Sequence, residues 1–257
     1  MGLNESRNAN LPEDIDANQA QYEKSWVPKV VSEIGVNKSK YGQSTLSPQT
    51  LEIAGEHLAK YLEKYILLCN PNVKILEPFA GNGVGSKIIY DKLSEKIPHI
   101  VLKSTDLQDL SEYTNHNSHP VEFGINSVET IRKYDGDKYN ILMMISPPPS
   151  QTQPKVKTIQ PPSPPVIPLE CQDYFSGYGD YFAIREWEKS LNSELLVFVG
   201  ELGASDGSEG LYKYLIKNNP IWELVFRTII YSGTDIFGGA IEKEIFIFKK
   251  IKKNKVD

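Results

Sequence analysis

Cysteine is almost missing from this chain: Cys69 and Cys171 are the only two, far apart and in unrelated contexts. Two such residues, with no C-x-x-C pair, exclude a disulfide framework and a zinc ribbon. Histidine is also scarce, and His116 and His119 share one polar stretch, N-H-N-S-H. That stretch reads as a solvated loop, because the ligand spacings of a zinc site are not there. No metal is expected. No apolar run approaches the length of a membrane span, and no signal-peptide pattern opens the chain, so a cytoplasmic protein is expected. Positive charge is in short supply, with 28 Lys and Arg against 33 Asp and Glu, a net charge of −5. Bulk charge therefore does not advertise nucleic-acid binding, which would need a local basic patch. The strongest basic run, K-K-I-K-K-N-K at 249–255, reads as a solubilising tail. There is no internal repeat and no separate basic recognition domain.

What is there is ordinary globular composition: 257 residues, 40% hydrophobic and 24% charged. That length suits one domain with an N-terminal extension. Residues 1–39 are polar and read as an arm that is poorly ordered or docks elsewhere; 40–257 read as the folded domain. Its centre is V-K-I-L-E-P-F-A-G-N-G-V-G, residues 73–85. An apolar run at 73–76 predicts a buried strand ending at the acid Glu77. Gly81, Gly83 and Gly85 make a tight turn, and S-K-I-I-Y-D-K-L, 86–93, carries helical spacing. Strand, glycine turn and helix open a nucleotide-binding α/β sheet. A dinucleotide wants G-x-G-x-x-G, with its pyrophosphate on the helix N-terminus. Here the spacing is G-N-G-V-G, and Glu77 would repel a pyrophosphate but suits a cation.

These residues resemble motif I of class I S-adenosylmethionine-dependent methyltransferases, closest to the D/E-P-F-x-G-x-G form of the amino-methyltransferase branch. The resemblance implies a three-layer, Rossmann-like α/β fold: a mostly parallel seven-stranded sheet with an antiparallel last strand. It implies S-adenosylmethionine as cofactor, held by Glu77, Pro78, Phe79, Ala80, Gly81, Asn82 and Gly83. The competing reading is an ordinary α/β turn whose glycines serve packing.

Ahead of the turn, Ser47 followed by Pro48 is a helix-start signal, and apolar spacing predicts a helix at 48–67. G-Q-x-x-x-S-P at 42–48 also resembles a motif of adenine amino-methyltransferases that meets the methionine end of the cofactor. That would give Ser47 a binding role beside its capping role. A second strand is predicted at 100–105, closed by Asp106, about 20 residues beyond the glycine turn, where an acid accepts ribose hydroxyls. Leu107 adjoins it, and Asp109 is a rival. A third strand at 121–124 leads to Asn126 and Ser127. The resemblance sets these beside the adenine, while local chemistry makes Asn126 a helix N-cap.

Residues 139–145, Y-N-I-L-M-M-I, read as a central parallel strand. It ends in Ser146-Pro147-Pro148-Pro149, which resembles motif IV, [D/N/S]-P-P-[Y/F/W]. There a side-chain oxygen and a proline-stiffened carbonyl accept both hydrogens of an amine and aim its lone pair at the methyl donor. Ser146, Pro147 and Pro148 are thus the candidate catalytic frame, with Ser146 also against the cofactor. Pro149 stands where the family stacks an aromatic ring on the acceptor. Nine of the chain's 17 prolines fall within 147–168, which predicts a stiff loop beside the site, with an SH3-type ligand as the alternative. The rings of Tyr174, Phe175, Tyr178 and Tyr181 offer a replacement stack, or else pack on the sheet. A helix at 181–191, a strand at 194–200, a helix at 208–217 and two closing strands at 222–232 and 243–251 complete the reading. The function expected is methyl transfer to nitrogen on a nucleic-acid base, a protein or a small molecule. The rivals are a cofactor-binding scaffold or partner subunit, and a dinucleotide oxidoreductase.

Overall fold

The computed structural model describes residues 46–68, 72–107, 109–114, 116–147, 179–202, 206–217, 219–234 and 240–251. The arm expected at 1–39, both cysteines, Pro148, Pro149, Tyr174, Phe175, Tyr178 and most of the proline-rich loop lie outside them.

The first described element is helix α1, Pro48–Leu68. Ser47 starts it: the Thr50 N–H donates to Ser47 Oγ at 3.2 Å, and Pro48 supplies a pre-set φ at the first helical position. Strand β1, Lys74–Glu77, then takes Glu77 into the strand as its last residue. Helix α2 follows at Val84–Lys96, β2 at Val101–Asp106, β3 at Val121–Phe123, α3 at Ser127–Tyr134 and β4 at Ile141–Ile145. Helix α4 covers Gly179–Trp187 and stops four residues short of its expected end. The Glu186 and Trp187 carbonyls accept from Lys189 and Ser190, tightening the last turn, and Leu191 is 99% exposed, so no burial would reward continuation. After β5, Leu195–Gly200, the predicted helix at 208–217 divides into α5, Glu209–Tyr212, and a π-helical turn, Lys213–Lys217. The chain closes with β6, Trp222–Thr234, and β7, Ala240–Lys250. Lys249 and Lys250, which fall both in the strand expected at 243–251 and in the basic run read as a tail, belong to β7, which pairs to its end.

The sheet has seven strands in the order β3-β2-β1-β4-β5-β7-β6. The β1–β2, β1–β4, β2–β3 and β4–β5 pairs are parallel. Strand β7 runs antiparallel to both β5 and β6. This is the fold class that the sequence predicted, a Rossmann-like methyltransferase fold with its last strand reversed. The order turns at β1/β4, the switch point where α/β sheets open a crevice at their carboxyl edge. Alternation along the strands divides the core in two. Ile75, Ile141, Met143, Val197 and Ile247 pack with Leu58 and Leu62 of α1 and Ile89 of α2. Leu76, Leu142, Met144, Phe198 and Phe248 pack with Ile131 of α3, Trp187 of α4 and Leu211 of α5. Both faces are covered at the centre, so β4 and β5 read as continuous apolar runs. No described helix is long and apolar enough to cross a membrane.

Candidate cofactor and acceptor site

The glycine turn lies between β1 and α2 and is bound to its neighbours through backbone. The Ala80 N–H donates to the Thr105 carbonyl at 3.1 Å, Gly83 N–H to Ala80 at 2.9 Å, and His119 N–H to Gly83 at 2.9 Å. Gly83 sits at φ 79, where a Cβ would come within 2.3 Å of the His119 carbonyl oxygen. Only glycine fits that approach. Gly85 tolerates more, and its nearest neighbours would be Leu51 of α1 at 3.7 Å and Ile145 of β4 at 3.9 Å. Thus the start of α2, the start of α1 and the end of β4 converge.

His119 was expected in a solvated loop, and the structure corrects this. It is half-buried, its Nε2 lies 3.1 Å from the Leu102 carbonyl, and its ring stacks obliquely on Tyr90 at 5.1 Å. Burial pushes its pKa down. His116 is exposed as expected. Among the described residues no cluster of His, Cys, Asp or Glu could hold a metal ion.

Glu77 is 1% exposed. Ser104 Oγ donates to its Oε2 at 2.7 Å, but Oε1 has no partner among the described residues. Burial raises its pKa to about 7; the Ser86 and Ser104 hydroxyls oppose the rise and the charge of Asp106 adds to it. Asn82 Nδ2 is a second buried atom without a hydrogen-bond partner, while Ser86 Oγ has the Glu77 carboxylate beside it. Buried polar atoms are seldom left so, and here an acceptor and a donor are both left within one turn. Pro78 and Ala80 are buried in the same turn, and Phe79 packs against the second core cluster.

Asp106 closes β2, and its Oδ2 accepts from the Gly81 N–H at 2.8 Å, which ties the ribose candidate to the glycine turn. Its rival Asp109 is exposed and caps its own turn through Ser111 N–H at 3.0 Å. Leu107 follows in a half-buried bend. Asn126 is the N-cap of α3, accepting from Glu129 N–H at 2.9 Å, and Ser127 Oγ donates to the Gly179 carbonyl at 2.9 Å. Both are buried. Ser47 likewise acts as a cap, with its hydroxyl 2.9 Å from Thr50 Oγ1.

Ser146 stands one residue past β4 with φ at +46, in the left-handed region. Its N–H donates to the Val199 carbonyl at 2.8 Å, and its hydroxyl donates to Asp206 Oδ1. The Pro147 carbonyl accepts from Gly207 N–H at 2.8 Å. One member of the expected two-acceptor frame is therefore already used by backbone, though a carbonyl keeps a second lone pair. Tyr181, expected among the stacking rings, is packed inside instead. It is 3% exposed and meets Phe182 and Tyr214 edge-on; no open face remains for stacking.

Asp206, Lys243 and Asp180 escaped the sequence reading. Asp206 is 1% exposed and takes Lys243 Nζ at 2.7 Å. Asp180 begins α4 and accepts from Ser208 N–H at 2.6 Å; burial raises its pKa to about 6. An Asp-Gly pair six residues past the end of β5 was the available signal; Lys243, between Glu242 and Glu244, gave none.

The carboxyl edge thus gathers a glycine cradle and a serine-proline corner, on a sheet whose order and direction define the fold class. No family model matches the chain, and no curated protein does. Among solved structures it is similar to the type IIG restriction endonuclease BpuSI, at 13% identity and TM-score 0.40, over 93% of this chain but only 28% of the endonuclease. It is similar also to the human methyltransferase 10 domain containing protein, at 12% identity and TM-score 0.42, over 91% of this chain and 96% of that one. The fold assignment rests on the strand order, not on these scores.

Proposed function

We propose that the chain is an S-adenosylmethionine-dependent methyltransferase acting on a nitrogen acceptor. The observation that carries this reading is the pair of buried, unpartnered atoms at the glycine turn, Glu77 Oε1 and Asn82 Nδ2, with the Ser86 hydroxyl beside the carboxylate. They fit a ligand that is cationic on one side and hydrogen-bonding on the other, and they do not fit a pyrophosphate. When bound, S-adenosylmethionine supplies a methyl group activated by the sulfonium charge. Glu77 would then face the ammonium end, Asp106 the ribose hydroxyls, and Asn126 with Ser127 the adenine. Ser146, at the neighbouring strand end, would accept an N–H of the incoming amine, with the Pro147 carbonyl's second lone pair and Pro148 beside it. That orients the nitrogen lone pair without removing a proton first. A nucleic-acid base, a protein amide and a small amine remain the acceptor classes, and a partner subunit would supply basic surface if the acceptor is nucleic acid.

The second reading is a cofactor-binding scaffold. It is favoured by the internal bonds of Ser146 and Pro147 and by Pro149 at the aromatic position. Calorimetry with S-adenosylmethionine and with NAD, followed by transfer of labelled methyl into nucleic-acid, protein and small-molecule fractions of a lysate, separates the readings. Binding of the first ligand with label in one fraction supports the enzyme. Binding without label supports the scaffold, and binding of NAD alone overturns both.

A further inference from the structure

The end of β4 carries a buried polar network that the cofactor side does not need. Ser146 gives its hydroxyl proton to Asp206 Oδ1. The other oxygen of Asp206 accepts from Lys243 Nζ at 2.7 Å and from the Glu201 N–H at 2.9 Å. Lys243, on β7, also lies 3.5 Å from Glu201 Oε2. The lysine and aspartate side chains are 8% and 1% exposed, so this pair is interior, not a surface ion pair. The backbone is shaped for it. Gly200 ends β5 at φ +148, and a Cβ there would lie 2.8 Å from Asp206 Oδ2.

The chemistry of a serine at this position explains the network. A carboxylate or amide side chain offers an amine an oxygen that always accepts. A serine hydroxyl can instead turn and donate to the amine's lone pair, which would tie up the nucleophile. A hydroxyl whose single proton is committed elsewhere presents only lone pairs to a third group. An ionised carboxylate, kept so by a buried ammonium, is the partner that holds that proton most firmly without needing one of its own.

We propose that Asp206, anchored by Lys243, is a positioning residue that fixes Ser146 as a hydrogen-bond acceptor toward the N–H of the acceptor amine. The inference rests on the methyltransferase reading. Asp206 touches no substrate; it acts through Ser146, and no bond to Asp206 is made or broken in the transfer.

The test uses the full chain, tritiated S-adenosylmethionine and the three lysate fractions. Asp206→Asn places an amide that can donate to Ser146 and release its proton. Methyl transfer at saturating cofactor is expected to fall about 10- to 100-fold, with cofactor affinity within about threefold of wild type by calorimetry. Adding Ser146→Asn restores an intrinsic acceptor at a left-handed position that asparagine tolerates, and should bring transfer back to within about tenfold of wild type. A structural role for Asp206 would not be rescued this way. Ser146→Asn alone, which does not depend on the folding of Asp206→Asn, should stay within about tenfold while Ser146→Ala loses about 100-fold. Full activity of Asp206→Asn, failure of the double variant, or a Ser146→Asn as inactive as Ser146→Ala overturns the proposal alone. Wild-type protein that binds cofactor but labels no fraction overturns it together with the enzyme reading.

Discussion

Two polar clusters sit one strand apart on the same sheet edge, and they are built on opposite plans. After β1, Glu77 Oε1 and Asn82 Nδ2 are buried without hydrogen-bond partners. After β4 and β5, Ser146, Asp206 and Lys243 are equally buried, and each has a partner. The first cluster costs stability until something binds. The second is complete in the chain itself and stabilises a geometry. A ligand-binding region and an orienting region can thus be told apart by where unsatisfied hydrogen-bonding capacity is left.

The comparison is broken most severely at Lys243. Lys243→Met leaves Asp206 buried and uncompensated, and should destabilise the fold by about 3–5 kcal/mol, read by urea denaturation. A loss below about 1 kcal/mol, the scale of exposed pairs, would put the pair in the solvent-screened class. Glu77→Gln should do the reverse. Folding raises the Glu77 pKa from 4.5 to about 7, so the native state holds the extra proton, and stability from this group falls as pH rises from about 4.5 through about 7. Above that window the wild type carries a buried carboxylate at a cost on the order of 3 kcal/mol. The glutamine variant avoids that cost. It should melt higher than wild type at pH 8 without ligand, yet bind S-adenosylmethionine more weakly. Wild-type affinity should itself drop as pH falls below about 7, because a cationic ligand selects the ionised carboxylate; the variant should lack that dependence. Asp106→Ala should weaken the cofactor by about 1–3 kcal/mol in calorimetry, with NAD silent in both proteins. The smallest effect belongs to Asn126→Ala: loss of the α3 cap should cost about 1 kcal/mol of stability, and a larger loss of cofactor affinity would give Asn126 a second role at the adenine.

The central strands β1, β4 and β5 were legible because both faces of the sheet are covered there and their apolar runs are nearly unbroken. The glycine turn was legible because only glycine survives at Gly83. Ser47 and Asn126 were readable as caps from local chemistry alone. What escaped was long-range. Asp206 and Lys243 are 37 positions apart and meet only because β7 lies beside β5. The end of α4 was missed because apolar spacing says nothing of a last turn tightened by its own carbonyls. His119 was misjudged because polar neighbours in sequence hid a contact made across the turn.

Strand β7 lies between β5 and β6 in the sheet although it is the last to be made. The β5 edge and the β6 edge are therefore joined only through residues 240–250. Lys243 arrives with that strand. The glycine cradle draws on residues from α1 through β4, but Asp206 has its counter-ion only where β7 closes the sheet. The cradle is thus built from the chain up to β4, whereas the orienting cluster needs β7, so shortening the chain before residue 240 would remove the counter-ion of Asp206 and leave the residues of the turn in place.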